Sequence, residues 1–287
     1  MPRKKTRVAI IYDFDKTLAT TDMQNYSFIK EVGLTVGEFW EKTGKFCSEN
    51  NSDKILGYMY MMINIAKKKG ITLTREYLKE QGKAIKYFRG VENWFKRIKD
   101  YGREKGLIIE HYLITSGNKE IVEGTSIFKE FNAIFGCEYI YDEKTKEATW
   151  PKTMINYTQK TQYIFRISKG LVIGNDDTKI NEKTPIRRIK YENMIYLGDG
   201  LTDVPSMIVV KENGGNSIAV YKKGERDKVS NLFEDGRVNY ICKADYSEHS
   251  ELDKVIKLIL DSIEIRENLA KRRADIKKEL WYMQFYY

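Results

Sequence analysis

The chain is poor in cysteine and in long apolar runs. Its three cysteines, Cys47, Cys137 and Cys242, are widely spaced and form no CxxC pair. That spacing suggests neither a thiolate zinc site nor a disulfide framework, and it fits a reducing, cytoplasmic setting. No stretch approaches the roughly 20 apolar residues of a membrane-spanning helix, so no membrane partner is expected. The opening MPRKKTRVAIIYDFD is basic and then apolar, superficially like a signal peptide. The apolar run at 8–12 is too short for that role, and acids follow at once. The chain also lacks internal repeats and low-complexity linkers.

What remains is the make-up of a folded protein. The 287 residues are 41% hydrophobic and 13% aromatic, richer in both than a disordered chain. That length suffices for one domain with an inserted module, or for two domains. Lys and Arg total 50 against 41 Asp and Glu, a net charge of +9. A basic balance attracts phosphate esters, nucleic acid and anionic membranes. The cations are scattered, however, with local runs such as 67–69 and 271–273. Scatter of this kind reads as solvated surface.

Apolar spacing orders the chain. Residues 8–12 (VAIIY) form a continuous branched run that predicts a buried strand of a parallel sheet. A polar segment, 13–21 (DFDKTLATT), follows directly. From 22 to 88 the apolar residues recur three and four apart, which predicts several helices and no strand. Residues 91–101 read as an amphipathic helix carrying Trp94, Phe95 and Ile98. Residues 112–115 (YLIT) predict a second buried strand ending at Ser116 and Gly117, with a helix from about Asn118. Residues 138–150 look like a hairpin around a charged turn. Residues 158–168 fit a helix stopped by Gly170. Residues 194–197, 217–221 and 238–242 are further strands, and 252–282 form a charged terminal helix. Strands alternating with helices give an α/β fold with a mostly parallel sheet.

In such sheets, ligands bind outside the carboxyl ends of the strands. The polar residues that follow the apolar runs should therefore converge: Asp13, Asp15, Ser116, Asp199 and Asp203. Each fragment alone is an ordinary turn; the signal lies in all of them following strands. Three crowded carboxylates repel one another unless a cation compensates. A hard divalent cation such as magnesium suits oxygen ligands and phosphate. Ser116 and Gly117 offer a hydroxyl and backbone N–H groups to phosphate oxygens. One carboxylate could attack phosphorus, and a second could protonate the leaving alcohol.

The motifs resemble those of the haloacid dehalogenase superfamily, on its phosphatase side. DFDKT at 13–17 matches its DxDxT motif, and YLITSG places its Ser/Thr motif at Ser116. GDGLTD at 198–203 matches its GDGxND motif, with Thr202 where Asn is usual. The resemblance runs over about residues 7–221. It implies a Rossmann-like core, residues 1–20 and 89–250, an inserted all-helical C1 cap, 21–88, and a charged helical tail, 251–287. It implies a Mg2+-dependent phosphomonoesterase acting on a small phosphorylated metabolite. Asp13 would be the nucleophile and a metal ligand. Asp15 would be the general acid/base and would bind metal through its backbone carbonyl. Thr17 would steady the phosphate-binding loop, Ser116 would bind phosphate, Asp199 would ligate the metal and Asp203 would support metal-bound water.

The third motif is a lysine, either Lys160, which opens a helix after the hairpin, or Lys183, in a Pro-containing segment. Asp22, nine residues after the nucleophile, matches the acid that contacts the substrate amine in phosphoserine phosphatases; a helix N-cap explains it equally well. The only cap arginine is Arg75. His111 reads as structural or exposed. Trp40, Met59, Met61 and Met62 read as cap core. A phosphotransferase would share the first half-reaction. A nucleic-acid-binding or polynucleotide-end-processing protein is the rival from another class, resting on the net charge and on Trp281, Tyr282 and Phe285. Nucleic acid is not the favoured partner. The tail is expected to be a surface helix that offers a dimer contact.

Overall fold

The computed structural model describes residues 5–174, 178–183 and 186–286, with side chains through Trp281. Thr6–Tyr12 is strand β1, a run whose last five residues are all buried. Its partners are β2 (Leu107–Asn118) on one side and β5 (Met194–Gly198) on the other, both parallel. Outward from β2 lie β3 (Ala133–Tyr141) and β4 (Ala148–Thr153). Outward from β5 lie β6 (Asn216–Tyr221) and β7 (Tyr240–Lys243). The order is β4-β3-β2-β1-β5-β6-β7, and only β4 runs antiparallel. The expected α/β architecture is present.

The chain leaves β1 for one side of the sheet and returns to its other side at β5. β1 is thus the topological switch point, and its carboxyl end is where such sheets open a ligand crevice.

Between β1 and β2 come α1 (Phe28–Glu31), α2 (Val36–Glu49), α3 (Lys54–Lys68), α4 (Arg75–Gln81) and α5 (Val91–Glu104). Thr35 and Glu38 form a reciprocal capping box that starts α2. Asp53 caps α3 through the N–H groups of Ile55 and Leu56. Met59 and Met62 are fully buried core residues, as expected. No strand occurs between residues 21 and 88. This helical segment is tied to the sheet: Tyr139 Oη donates to Met59 O at 3.0 Å, and Ala148 N donates to Leu73 O at 2.8 Å. The α5 helix buries Val91, Trp94, Phe95 and Ile98, the one-face spacing that packs it on β2.

The remaining helices are α6 (Lys119–Glu123), α7 (Gln159–Lys169), α8 (Thr178–Asn181), α9 (Val204–Glu212), α10 (Asp227–Glu234) and α11 (Glu251–Tyr286). Gly170 ends α7 at φ 79°, the left-handed conformation glycine adopts at no steric cost.

Three expectations need correction. The helix that Asp22 would cap is replaced by a 3-10 turn, Met23–Asn25, and the one-turn α1. The Met23 N–H there donates to Asp15 Oδ1 at 2.8 Å. Strand β2 starts at Leu107, well before Tyr112, so His111 lies inside it, fully buried. The 138–150 hairpin begins at Ala133, because β3 first pairs in parallel with β2.

Candidate active site

The carboxyl end of β1 delivers Asp13, whose N–H donates to Leu197 O on β5 at 2.9 Å. The loop then turns sharply: Leu18 and Ala19 N–H both reach back to Phe14 O, and Lys16 takes φ 57°, uncommon for a non-glycine residue. The turn puts Asp13 and Asp15 on one side, at the wall of a cavity of about 520 Å3. Ser116, Gly117, Lys160, Asp199 and Asp22 also line it, together with Trp40, Thr43, Lys54 and Tyr58 of the helical segment. Sheet and helical segment share the walls.

Ser116 owes its position to an irregularity in β2. The pairing advances from Ile114↔Phe135 to Asn118↔Cys137, so extra residues bulge out of β2 between them. Ser116 Oγ is buried there without a hydrogen-bond partner. The Gly117 N–H, expected to serve an anion, instead donates to Thr115 Oγ1 at 2.9 Å. A Cβ on Gly117 would lie 2.1 Å from Met23 Cε, so a larger residue there would push the Met23 side chain aside.

Lys160 is the lysine at the centre. Fully buried, it donates to Asp13 Oδ1 at 2.8 Å and to Asp203 Oδ1 at 2.7 Å. Lys183 is exposed and lies away from the cavity; Pro185 falls outside the described residues. Tyr196 Oη donates to the same Asp203 oxygen at 2.7 Å. Asp203 sits behind the cavity, against Gly198, where a Cβ would meet Asp203 Oδ2 at 2.4 Å.

The carboxylates are strongly perturbed. Burial pushes Asp13 up to about 7; the Asp203 charge adds to this and the Lys160 ammonium opposes it. Burial, then Asp13 and Asp203, push Asp199 up to about 8. Asp15 is raised well above the carboxylate range by burial and by the charges of Asp22 and Asp13. Burial alone would lower Lys160, but Asp13 and Asp203 outweigh it and hold the ammonium protonated.

One oxygen from each of Asp13, Asp199 and Asp203 lies within 4.8 Å of the others. Asp203 Oδ2 is buried without a partner. An all-oxygen, multiply anionic donor set with an orphaned oxygen fits a hard divalent cation. The Asp15 side chain is outside this set and turns instead toward the Met23 N–H.

The other expected residues divide. Asp22 reaches the cavity wall, but its carboxylate makes no cap bond and pairs with Lys16 at 2.8 Å. Thr17 is buried behind the loop, its hydroxyl unpartnered; its carbonyl accepts from Tyr246 Oη at 2.9 Å. Arg75 is bound to Glu123 at 2.7 Å, away from the cavity.

No family model matches the chain. An uncharacterized protein of Borreliella burgdorferi is 24% identical to it over 280 residues, covering 88% of this chain and 96% of that one. A HAD family hydrolase from Salmonella enterica serovar Typhi superposes with TM-score 0.58 at 16% identity, covering 90% of this chain and 73% of that one. A phosphoserine phosphatase in a phospho-aspartyl intermediate analogue form gives 0.53 at 18%, covering 88% and 99%. A substrate-bound phosphoserine phosphatase complex gives 0.54 at 16%, covering 89% and 99%. The chain has the haloacid dehalogenase fold.

On this HAD fold, several contacts carried no sequence signal. Tyr58 Oη donates to Ser116 O at 2.7 Å, so α3 touches the Ser116 bulge directly. Asn156, four residues before Lys160, donates to Asp53 Oδ2 at 3.2 Å. Both ends of that contact are generic loop or cap residues in sequence. Trp40, expected in the helical core, also forms cavity wall, its Nε1 donating to Asn25 Oδ1 at 3.0 Å.

Proposed function

We propose that the protein is a Mg2+-dependent phosphomonoester hydrolase that works through a phospho-aspartate on Asp13, with residues 21–88 as its cap. The observation that carries this reading is the buried Lys160 ammonium bridging Asp13 and Asp203, with Asp199 and Ser116, its hydroxyl unpartnered, lining the same cavity.

Asp13, Asp199 and Asp203 would hold the cation, with the Asp15 backbone carbonyl as the resemblance implies. When bound, the cation supplies positive charge that offsets the carboxylates and the phosphate oxygens. Lys160 engages Asp13 Oδ1 and leaves Oδ2 to attack phosphorus. The bond from Oδ2 to phosphorus forms as the bond to the leaving oxygen breaks. Ser116 Oγ, with no partner of its own, donates to a phosphate oxygen.

The two aspartates of DFD suit different roles because their surroundings differ. Burial raises both, but at Asp13 the Lys160 ammonium opposes the rise and favours the ionised, nucleophilic form. Asp15 is pushed toward the protonated form and can give its proton to the leaving alkoxide. It then takes a proton from the water that cleaves the Asp13–phosphate bond, which releases inorganic phosphate.

The substrate is a small phosphate ester. Arg75 is engaged elsewhere and Lys54 is the helical segment's cation at the cavity, so phosphoserine is not the favoured substrate. The polynucleotide reading gains nothing: Trp281 is exposed on α11, and the side chains of Tyr282 and Phe285 lie outside the described residues.

The test is hydrolysis of an aryl phosphate by wild type and Asp13→Asn, with and without magnesium. Magnesium-dependent turnover abolished by the substitution supports the mechanism. Equal turnover in both proteins removes Asp13 as the nucleophile.

A further inference from the structure

Helix α11 carries two apolar faces, and only one belongs to the body. Leu252, Ile256, Ile259, Leu260 and Ile263 are buried against it. Arg266 ties the helix to Glu192 O and Asn193 Oδ1 at 2.6 Å, and Glu267 ties it to Lys190 at 3.2 Å. Beyond these, residues 268–274 and 276–281 are exposed. A helix of 36 residues is about 54 Å long, so its second half projects from the body.

The second face is exposed. It consists of Leu258 (66%), Ile265 (59%), Leu269 (67%), Ile276 (41%) and Leu280 (56%). At about 100° per residue these five fall within an arc of about 60°, roughly 140° round from the buried set. Single exposed aliphatics are normal on a surface, but five in register along one helix form a seam. The seam is periodic. Leu258, Leu269 and Leu280 are spaced by 11 residues, as are Ile265 and Ile276. Eleven residues in three turns is about 3.67 per turn, close to the straight-helix value, so two such helices pair with a slight right-handed supercoil.

Charge selects the partner. On the projecting half, Asp275 and Glu279 leave one side of the seam net acidic despite Arg272 beside them, and Arg273 and Lys277 make the other side basic. A second copy laid parallel sets each acidic flank against the partner's basic flank on both edges. An antiparallel copy sets acid against acid and base against base. We propose that the exposed face of α11 is the interface of a parallel homodimer. The buried face lies well round from the seam, so the two bodies sit outside the helix pair. This is independent of the chemistry read at the cavity.

Sedimentation equilibrium of the full chain at micromolar concentration tests it. A mass near twice 33.7 kDa is expected for wild type. Leu269→Glu/Ile276→Glu should halve that mass with the thermal transition of the body intact, since both positions are exposed. The three native cysteines are buried, so mild oxidation of Leu280→Cys should give a disulfide-linked dimer. A wild-type monomer, including one that instead sediments with anionic phospholipid vesicles, overturns the proposal. So does a dimer that survives the double substitution. Cross-linking only in a mixture of Leu280→Cys with Leu258→Cys overturns the parallel arrangement.

Discussion

The Lys160 ammonium lies 2.7 Å from Asp203 Oδ1, joining the start of α7 to the residue just before α9. Both side chains are fully buried, and the same ammonium holds Asp13. Lys160 therefore compensates one carboxylate that water does not reach and one at the cavity wall. Removing one partner of a buried ion pair costs about 3–5 kcal/mol, because the remaining charge is left uncompensated. Lys160→Met should lose about that much stability in urea melts and at least about 100-fold in kcat, as electrostatic stabilisation of the attacking group is lost. A Lys160→Met enzyme within a few-fold of wild type would remove the lysine from the mechanism.

Asp13 and Asp199 make stability depend on pH in a defined direction. Unfolded, they release protons near pH 4. Folded, they hold them up to about 7 and about 8. Between those limits the folded chain binds more protons, so stability without metal falls as pH rises through the window. A divalent cation replaces those protons. The rise in Tm on adding magnesium should then be larger at about pH 8 than at about pH 5, and Asp199→Asn should shrink the difference. An equal rise at both pH values would separate metal binding from these carboxylates.

How much of this was legible follows from which signals are local. The apolar runs that precede Asp13, Ser116 and Asp199 are short and branched and are followed at once by polar residues, so the convergence at the sheet's carboxyl end could be read directly. Lys160 was legible only as one of two candidates, because its proximity to Asp13 depends on where α7 packs. The Tyr58–Ser116 and Asn156–Asp53 contacts cross between distant elements and leave no periodicity. The 3-10 turn at Met23–Asn25 differs from the expected helix for a tertiary reason, since its first N–H serves Asp15.

The Tyr58 hydroxyl is the direct link from α3 to the Ser116 backbone. Tyr58→Phe keeps the ring packing against Trp40 and deletes one hydrogen bond, worth about 1 kcal/mol. Ser116 O keeps its 3.2 Å contact from Cys137 Sγ, so the loop should shift rather than collapse. We expect about a 5-fold loss in kcat/KM toward an aryl phosphate. Unchanged kinetics with the same loss of stability would make the contact structural only.

His111 carries the opposite pH dependence. Its Nδ1 is 2.9 Å from Tyr12 Oη, which in turn accepts from Trp94 Nε1 at 2.8 Å; its Nε2 is 3.3 Å from Phe95 O. This network assigns the proton to Nε2 and leaves Nδ1 as acceptor. Burial, with the Lys99 charge adding to it, lowers the imidazole from its ordinary 6.5 to about 3. Below pH 6.5 the unfolded chain takes a proton that the folded chain refuses. Stability on this account falls by about 1.4 kcal/mol per pH unit until the folded value is reached. His111→Gln has no proton to take up. It should be less stable than wild type at neutral pH through altered packing, and its deficit should narrow as pH falls below about 6. Urea midpoints of both proteins across that range measure the gap; a gap that stays constant would mean His111 is not held neutral.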